Sequence, residues 1–349
     1  MGTKFIKVKK TSEPYYIVPE TFASKIGILN ISESGICRIG ETIYSKAFMV
    51  NETVKKKASS NETIKGSMMV LRGYDVPFKY IEYASGEVVL DIHVNAKDFE
   101  EAKIIIEHLE NDMKGSLHTF NILINAMNLQ DRLYFLHQRF MNEVKDARID
   151  VNDYIKNVTW SADIDVFKRW KETNKLLSTE VGCKGYFYAR RMPTENVGTL
   201  YELIRNHKGV TDIMIDYEPI SDLDVYRKIH EIYDDVLTEG SPKENERRYL
   251  MAGIYFMISG TEEFVEQKFE QLRKKVYLYG CRITPFYFKQ FHAFKAFANF
   301  STEGIRQLRL VQVTNAVKAS PFHEEVKKES EETSILDAFD SLMNTKNIN

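Results

Sequence analysis

The chain has 349 residues, of which 43% are hydrophobic and 28% are charged, and its formal net charge is −2. These values are ordinary for a soluble globular protein with a large core, and the length predicts about two domains. The near-zero net charge excludes a global attraction to nucleic acid or anionic lipid, although a local basic patch stays open.

The cysteines and the N-terminus indicate the compartment. Three cysteines, Cys37, Cys183 and Cys281, are far apart in the sequence. This spacing favours reduced thiols in the cytosol over a disulfide framework. Residues 1–16 are basic but lack a signal peptide's apolar core, and no window approaches the roughly twenty apolar residues of a membrane span. We therefore expect a cytoplasmic protein that reaches the inner face of the membrane, if at all, through a partner.

The N-terminal part of the chain is predicted to be β-rich. Within residues 14–50, four short apolar stretches are separated by turn-forming residues such as Pro19 and Gly40. Residues 54–66, VKKKASSNETIKG, follow as an exposed loop. Three consecutive lysines in it could contact phosphates, although a solvated charge run is the plainer interpretation. They are Lys55, Lys56 and Lys57.

A strand, a polar break and an amphipathic helix then follow one another three times. The strands cover 87–94, 212–218 and 251–258, and the helices end near residues 113, 237 and 276. In the third copy, Ser259 and Glu262 have capping-box spacing, and the acidic start and basic end of the helix match its dipole. The copies share a pattern but not a sequence. They predict an α+β fold with mixed or antiparallel sheets covered by helices.

Composition shifts divide the chain into four predicted regions. Residues 1–124 form a β-rich lobe with one strand–helix unit, and 125–180 form a helical connection with helices at 125–140 and 166–177. Residues 181–318 form a second α+β lobe, and 319–349 a charged linker with a short amphipathic tail.

Two apolar segments are candidate surfaces for a protein partner. The tail sequence SILDAFDSLM places five apolar side chains on one face of a short helix, which could dock into a partner's groove or fold back on its own domain. They are Ile335, Leu336, Phe339, Leu342 and Met343. The aromatic run 286–300 is either core or a second binding face. Its regularly spaced members are Phe291, Phe294, Phe297 and Phe300.

The sequence contains no motif of known catalytic or metal chemistry. It has no GxxxxGK[ST] phosphate loop, no GxSxG, no HExxH and no Cys/His cluster at metal spacing. Asp212, Asp216 and Glu218 alternate along one strand and could do acid–base work, but such acids more often mark the solvent face of a sheet. We therefore expect no catalytic, cofactor-binding or metal-binding residues, and no enzyme.

A basic and aromatic stretch is a candidate nucleic-acid contact. Arg190 and Arg191 follow Lys184 and the aromatic triplet 186–188. Arginines with aromatic neighbours can bind a single strand by phosphate contacts and base stacking. Aromatic residues in a strand are more often core or cross-strand pairs, which is the competing interpretation.

Five segments in a fixed order resemble a known family. They are ISESGICRIGETIYSKAF at 31–48, DRLYFLH at 131–137, TDIMIDYEP at 211–219, Gly280-Cys281-Arg282-Ile283 with Gln290 and Ala293, and 309–322 ending in Ser320-Pro321-Phe322. In order and spacing they are similar to the N-terminal domain of the conjugative-transfer ATPases of Gram-positive type IV secretion systems, the fourth VirB component. The resemblance covers roughly residues 15–322, and Ile283 stands where the family has Leu.

The resemblance implies a protein that docks onto membrane-embedded secretion components and packs in oligomers. In the family a nucleotide-binding motor follows, but no residue here matches its Walker lysine, its magnesium-binding Ser/Thr or its Walker B acid. We therefore expect a non-catalytic scaffold or adaptor of a conjugation apparatus that binds the motor ATPase or channel subunits, unless the chain is part of a longer ATPase. The alternative is a single-stranded nucleic-acid-binding accessory protein of a mobile element.

Overall fold

The computed structural model describes residues 5–9, 11–52, 71, 73–118, 122–140, 150, 155, 160, 165, 168–180, 182–220, 224, 249–302, 304–319 and 321. The helices within these ranges are α1 (Glu20–Ile26), α2 (Phe99–His118), α3 (Leu129–Phe140), α4 (Val197–Arg205), α5 (Glu262–Tyr277), α6 (Gln290–Asn299) and α7 (Val313–Ala316). The strands are β1 (Ile6–Val8), β2 (Tyr15–Ile17), β3 (Asn30–Ser32), β4 (Cys37–Arg38), β5 (Ile43–Glu52), β6 (Phe78–Glu82), β7 (Val88–Asn95), β8 (Ile122–Ala126), β9 (Lys171–Glu172), β10 (Leu177–Thr179), β11 (Gly182–Arg191), β12 (Val210–Glu218), β13 (Tyr249–Gly260), β14 (Arg282–Pro285) and β15 (Arg309–Gln312).

All of these strands belong to one antiparallel sheet. Its main path runs β1-β2-β3-β4-β5-β7-β6-β12-β13-β11-β10-β9, with β8 beside β5, β14 beside β11 and β15 beside β13. Helices cover the sheet, so the predicted α+β class is confirmed.

The second half of the sheet is a βαββαβ unit. Its elements follow in the order β11, α4, β12, β13, α5 and β14, and its strands lie side by side as β14-β11-β13-β12. This is the antiparallel order 4-1-3-2 of the ferredoxin-like arrangement. Helix α4 was missing from the sequence prediction, because its nine residues are too few to display a long apolar period.

The first half repeats the same strand order. Strands β5, β6, β7 and β8 lie side by side as β8-β5-β7-β6, and α2 connects β7 to β8. The first and third predicted strand–helix copies are therefore equivalent, since β7–α2 and β13–α5 both supply the third strand and second helix of a unit. The second copy supplies strand β12, and its predicted helix lies outside the described residues.

The two units join through their second strands. Strand β6 pairs antiparallel with β12, in a register that places Tyr80 opposite Ile215. The lobes expected at 1–124 and 181–318 therefore share a sheet. Strand β8 extends the first unit to Ala126, and the predicted helix at 166–177 is wrong over its second half, where β9 and β10 lead into β11.

Because side chains alternate along each strand, the sheet carries one apolar layer on each face. On β12, Ile213 and Ile215 face the side covered by α2, α4 and α5, whereas Met214 belongs to the cluster on the opposite side. That second cluster includes residues of α1, α3 and α6. The sheet is thus buried on both faces, which the alternating acids of β12 had argued against.

Helix α5 shows how far local sequence rules hold. Val265, Phe269, Leu272 and Val276 are buried, as the helical period predicts. The predicted cap is wrong by two residues, because Thr261 accepts the Phe264 N–H at 3.2 Å while Ser259 still belongs to β13. A strand buried by long-range pairing extends past the local capping signal.

Candidate functional site

A row of charged side chains crosses the junction of the two units. Lys79 of β6 is the register partner of Asp91 on β7 and of Asp216 on β12, so the three lie side by side. Each is 0% exposed. We call this row, with Asp212 and the side chains that pair with its acids, the charged seam.

Helix α3 attaches to both units through two arginines. Arg132 Nη1 lies 3.5 Å from Asp91 Oδ1 of the first unit, and Arg139 Nη1 lies 3.1 Å from Asp212 Oδ2 of the second. Arg132 and Arg139 are seven residues apart, about two helical turns, so they lie on one helix face. That face reaches an acid of each unit.

Smaller polar groups donate hydrogen bonds to two carboxylates of the seam. Ser45 Oγ donates to Asp91 Oδ1 at 2.9 Å and accepts from Arg132 Nη2 at 3.0 Å. The Ala84 N–H donates to Asp212 Oδ1 at 3.1 Å. A buried carboxylate without such donors would cost several kcal/mol, so these contacts are required for the charges to be tolerated.

The segment after α6 contacts the acids at the β12 end of the seam. Lys79 Nζ lies 3.4 Å from Thr302 Oγ1, which donates to Asp216 Oδ2 at 3.0 Å. Arg306 Nε donates to the same carboxylate at 3.0 Å, and its Nη1 lies 2.9 Å from Glu218 Oε2. With these contacts, four carboxylates face four cations across the seam.

Burial shifts the titration of the central groups. It lowers the pKa of Lys79, against the opposing effect of the Asp216 and Asp91 carboxylates. It also lowers the pKa of His93, whose Nε2 lies 2.7 Å from Asp91 Oδ2. A buried amine between two carboxylates can supply acid–base chemistry. Here Lys79, Asp91 and Asp216 are fully enclosed, so solvent does not reach them in this conformation, and they connect strands of both units.

The expected solvent exposure of the β12 acids is wrong for Asp212 and Asp216, whereas the Glu218 side chain is 39% exposed. Asp212 is 1% exposed and Asp216 is 0% exposed, because α3 and the residues after α6 cover that face. Lys79, Asp91 and Arg139 were not identified from the sequence. A charge inside an apolar strand, as in the FKYIE of β6 and the VVLDIHVN of β7, is the signal that could have found the first two.

The aromatic run of α6 belongs mainly to the core. Phe294, Phe297 and Phe300 are each 2% exposed or less, so the core interpretation is confirmed for these three and the binding-face interpretation is wrong for them. The Phe297 ring lies 5.4 Å from that of Tyr186, and Phe294 lies 4.9 Å from Trp170. Phe291 is only partly buried.

The residues just before α6 form an exposed aromatic loop. Tyr287 is 52% exposed and Phe288 is 73% exposed. Phe288 has a φ of 54°, in the left-handed region. Its N–H donates to the Asn174 carbonyl at 3.1 Å, so the backbone at this position is held in place. We call Phe286–Lys289 the aromatic loop.

The two predicted arginine contacts are exposed at the end of β11. Arg190 and Arg191 both reach solvent, and Arg191 is the register partner of Arg282 on β14. Stacking on the neighbouring aromatics is ruled out in this conformation for Tyr186 and Phe187, which are 1% and 2% exposed. Tyr186 and Phe187 are core residues, which confirms for these two the interpretation of strand aromatics as core.

Two other predicted sites lie outside the described residues. These are the lysine run at 55–57 and the amphipathic tail with its apolar face of Ile335, Leu336, Phe339, Leu342 and Met343. In the part of the chain that the structure does describe, no three His, Cys, Asp or Glu side chains form a group that could hold a metal ion. None of the described helices is long and apolar enough to cross a membrane.

Comparison with known proteins finds no match by sequence, and the solved structures described below are distant likenesses. No protein-family model matches the chain, and no curated protein matches it. CrmK, a flavoenzyme of caerulomycin biosynthesis, has a TM-score of 0.30 and 5% identity over 69% of this chain and 43% of its own. Aclacinomycin oxidoreductase has a TM-score of 0.30 and 9% identity over 69% and 42%.

A third solved structure, the siroheme decarboxylase NirDL bound to an iron-uroporphyrin III analogue, has a TM-score of 0.19 and 12% identity over 72% of this chain and 78% of its own. This chain spans less than half the length of the first two enzymes. TM-scores this low establish neither a shared fold nor a shared activity.

Proposed function

We propose that this chain is a non-catalytic scaffold or adaptor that binds other proteins, and that its partners are components of a conjugation or type IV secretion apparatus. It would work at the cytoplasmic face of the membrane, beside the motor ATPase or channel subunits. The observation that carries the binding role is the exposed aromatic loop.

The loop presents a large apolar side chain in a costly backbone conformation. A non-glycine residue in the left-handed region costs about 1–2 kcal/mol. Phe288 bears that cost although 73% of it is exposed. Strain of this kind is concentrated at functional sites, and buried aromatic anchors contribute much of the energy of protein interfaces.

The loop is also held rigidly on the sheet. Gln290 Oε1 accepts the Tyr186 N–H at 2.8 Å, and its Nε2 donates to the carbonyls of Tyr186 and Phe286 at 3.2 and 3.0 Å. Gln290 is 0% exposed, so these bonds are shielded from water. A preorganised anchor loses little conformational entropy when it binds, which favours a role as a docking point.

The assignment to a secretion apparatus rests on the sequence resemblance. The segment with the most readable likeness includes Gly280–Ile283, just before the loop, and Gln290, just after it. The charged seam supports a scaffold role, because its ion pairs connect α3 to both units of one continuous sheet. The genes adjacent to this one provide a direct check, since a motor ATPase gene and channel genes are expected there.

The test is capture of the purified motor ATPase encoded beside this chain. Phe288→Gly should weaken capture at least about tenfold through loss of the aromatic anchor. The same change should raise stability by about 1 kcal/mol, because glycine accepts the left-handed conformation. Lower affinity together with higher stability is a combination that misfolding cannot produce.

Ile104→Ala is the matched control, since Ile104 is 59% exposed on α2 of the first unit. It should leave capture unchanged. Equal capture by wild type and Phe288→Gly would overturn the role of the loop. Absence of secretion genes beside this one would overturn the choice of apparatus.

The tail is a separate candidate contact. Deletion of residues 334–349 should abolish the same capture without changing the melting temperature of the body. Unchanged capture would contradict the role of the tail as a docking peptide. The aromatic loop would then be the remaining candidate contact.

A further inference from the structure

Four arginines lie together where β11, β14 and β15 end or begin. Arg191 and Arg282 are register partners on β11 and β14. Arg309, at the start of β15, donates from Nε and Nη2 to the Arg190 carbonyl at 3.3 and 3.1 Å. We call Arg190, Arg191, Arg282 and Arg309 the arginine rim. Strands β11 and β15 both pair with β13, and β14 pairs with β11, so the rim lies on two adjacent positions of the sheet, about 5 Å apart.

The rim carries positive charge that the chain does not neutralise. Within the described ranges none of the four arginines forms an ion pair with a carboxylate, and the guanidinium of Arg309 is bound by carbonyl oxygens alone. Glu195 and Arg191 both lie close enough to Cys281 to influence the pKa of its thiol, and within the described ranges no ion pair joins Glu195 to the rim.

The arrangement also costs stability. Like charges opposite each other on paired antiparallel strands are destabilising, and Arg191 is the register partner of Arg282 beside an irregularity at Arg190. Both side chains are exposed, so an external anion can reach them. Guanidinium groups bind phosphate, as they bind carboxylate, through two parallel hydrogen bonds, so phosphate is an anion suited to this cluster.

Arg190, Arg191 and Arg282 are exposed on adjacent strands and together offer more guanidinium donors than one phosphate can accept, which suits a chain of phosphates better than a single phosphate. We propose that the arginine rim binds the phosphate backbone of single-stranded nucleic acid. This inference goes beyond the scaffold function and does not depend on it. The lysine run at 55–57 takes no part in the argument.

The fold further specifies how a strand would be recognised. RNA-binding βαββαβ modules stack bases on aromatic side chains of their four-stranded sheet. In this chain the matching aromatics, Tyr186 of β11 and Tyr255 of β13, are 1% and 0% exposed. The Phe297 ring lies 5.4 Å from Tyr186, and the Phe286 ring lies 5.9 Å from Tyr255. Binding should therefore depend on phosphates and show no base preference.

The test uses the full chain and a fluorescent oligothymidylate of about 20 nucleotides, longer than the site of one such module, with anisotropy read at about 50 mM salt. Arg191→Gln with Arg282→Gln should weaken binding about tenfold or more. The slope of log affinity against log salt should become shallower by about 1.4, since each phosphate contact on a single strand contributes about 0.7.

The matched control is Arg169→Gln with Arg273→Gln. It removes the same charge from two exposed arginines that do pair with acids, Glu180 and Glu270. Its affinity should stay within about twofold of wild type, because these two arginines lie outside the rim and already pair with acids. Oligoadenylate and oligocytidylate should bind wild type within about threefold of oligothymidylate, since phosphate contacts carry no base information.

Each other result counts against the proposal. No binding of oligothymidylate at about 50 mM salt would overturn it, because phosphate contacts are strongest at low salt. Equal losses in the rim and control variants would reduce it to non-specific attraction. Tighter binding of duplex DNA would overturn the single-strand assignment. Equal competition by polyglutamate would indicate an acidic protein partner instead. Melting curves of both variants show whether a loss reflects unfolding.

Discussion

The charged seam and the arginine rim belong to the same sheet and are both rich in arginine, yet they differ in how their charge is balanced. In the seam, Arg132 and Arg139 each reach a buried carboxylate within 3.5 Å. In the rim, Arg191 faces Arg282 and both are exposed. Water can solvate an exposed guanidinium, but a buried one must find its counter-charge inside the protein.

The difference separates structural charge from charge available for binding. The seam's charges interact mainly with one another, so their removal should affect folding. The rim's charges have no such partner among the residues described, so their removal should affect what the protein binds and leave the fold intact.

Removal of one central acid should have the largest effect. Asp216→Asn leaves Lys79 with a weakened counter-charge in a fully buried position. We expect the free energy of unfolding to fall by about 3–5 kcal/mol, as for other broken buried pairs. Urea denaturation measures it. Glu270→Gln, which breaks an exposed pair with Arg273, is the control and should cost under about 1 kcal/mol. Similar losses in both variants would contradict a structural seam.

Removal of both charges should recover part of that loss. Lys79→Met in the Asp216→Asn background eliminates the buried cation that the first change leaves poorly compensated. We expect the double variant to be more stable than the sum of the single effects predicts, by about 1–3 kcal/mol. A double-mutant cycle of urea unfolding gives the coupling. Strict additivity would mean that the two side chains do not interact through the seam.

The free energy of unfolding should depend on pH through the protonation of His93. Burial lowers its pKa in the folded state from the ordinary 6.5, with Lys79 adding to the shift and Asp91 opposing it. Below about pH 6.5 the unfolded state therefore binds more protons, and stability falls as pH drops, by up to about 1.4 kcal/mol per pH unit for this group.

His93→Gln keeps a donor toward Asp91 and cannot titrate. The stability difference between wild type and His93→Gln should therefore shift in favour of the variant as pH falls from about 7.5 to about 5.5. Parallel pH profiles would show that His93 titrates alike in the folded and unfolded states.

The smallest effect should come from the rim. Arg282→Thr relieves the cross-strand repulsion with Arg191 and places a good strand former on β14. We expect a gain of about 0.2–1 kcal/mol. The gain should shrink near 1 M salt, where the screening length is about 3 Å. Thermal or urea unfolding at both salt concentrations checks this, and a loss of stability would show that Arg282 has a structural partner.

The sequence predicted the parts of the fold that depend on local periodicity. The strands around residues 87–94, 212–218 and 251–258 and the apolar face of α5 follow from periods of two and 3.6 residues, and so does the α+β class. Helix α4 and the exact cap of α5 were missed because short helices and long buried strands depend on tertiary contacts.

The tertiary structure alone decided which alternating face is covered. The sequence showed that Asp212 and Asp216 share one side of β12, but nothing local indicated that α3 and the segment after α6 lie over them. Arg139 is 73 residues from Asp212, and Thr302 is 86 residues from Asp216. Contacts at such separations leave no trace in a periodic pattern.

The same limit applies to the aromatic and basic candidates. Sequence spacing identified Phe294 and Phe297 as one helix face and Arg190 and Arg191 as a basic pair, and both descriptions were correct locally. Only the register of β11 with β14 placed Arg282 opposite Arg191, and only the packing of α6 on the sheet buried the phenylalanines. Local chemistry sets which side chains share a face, and long-range pairing sets what that face meets.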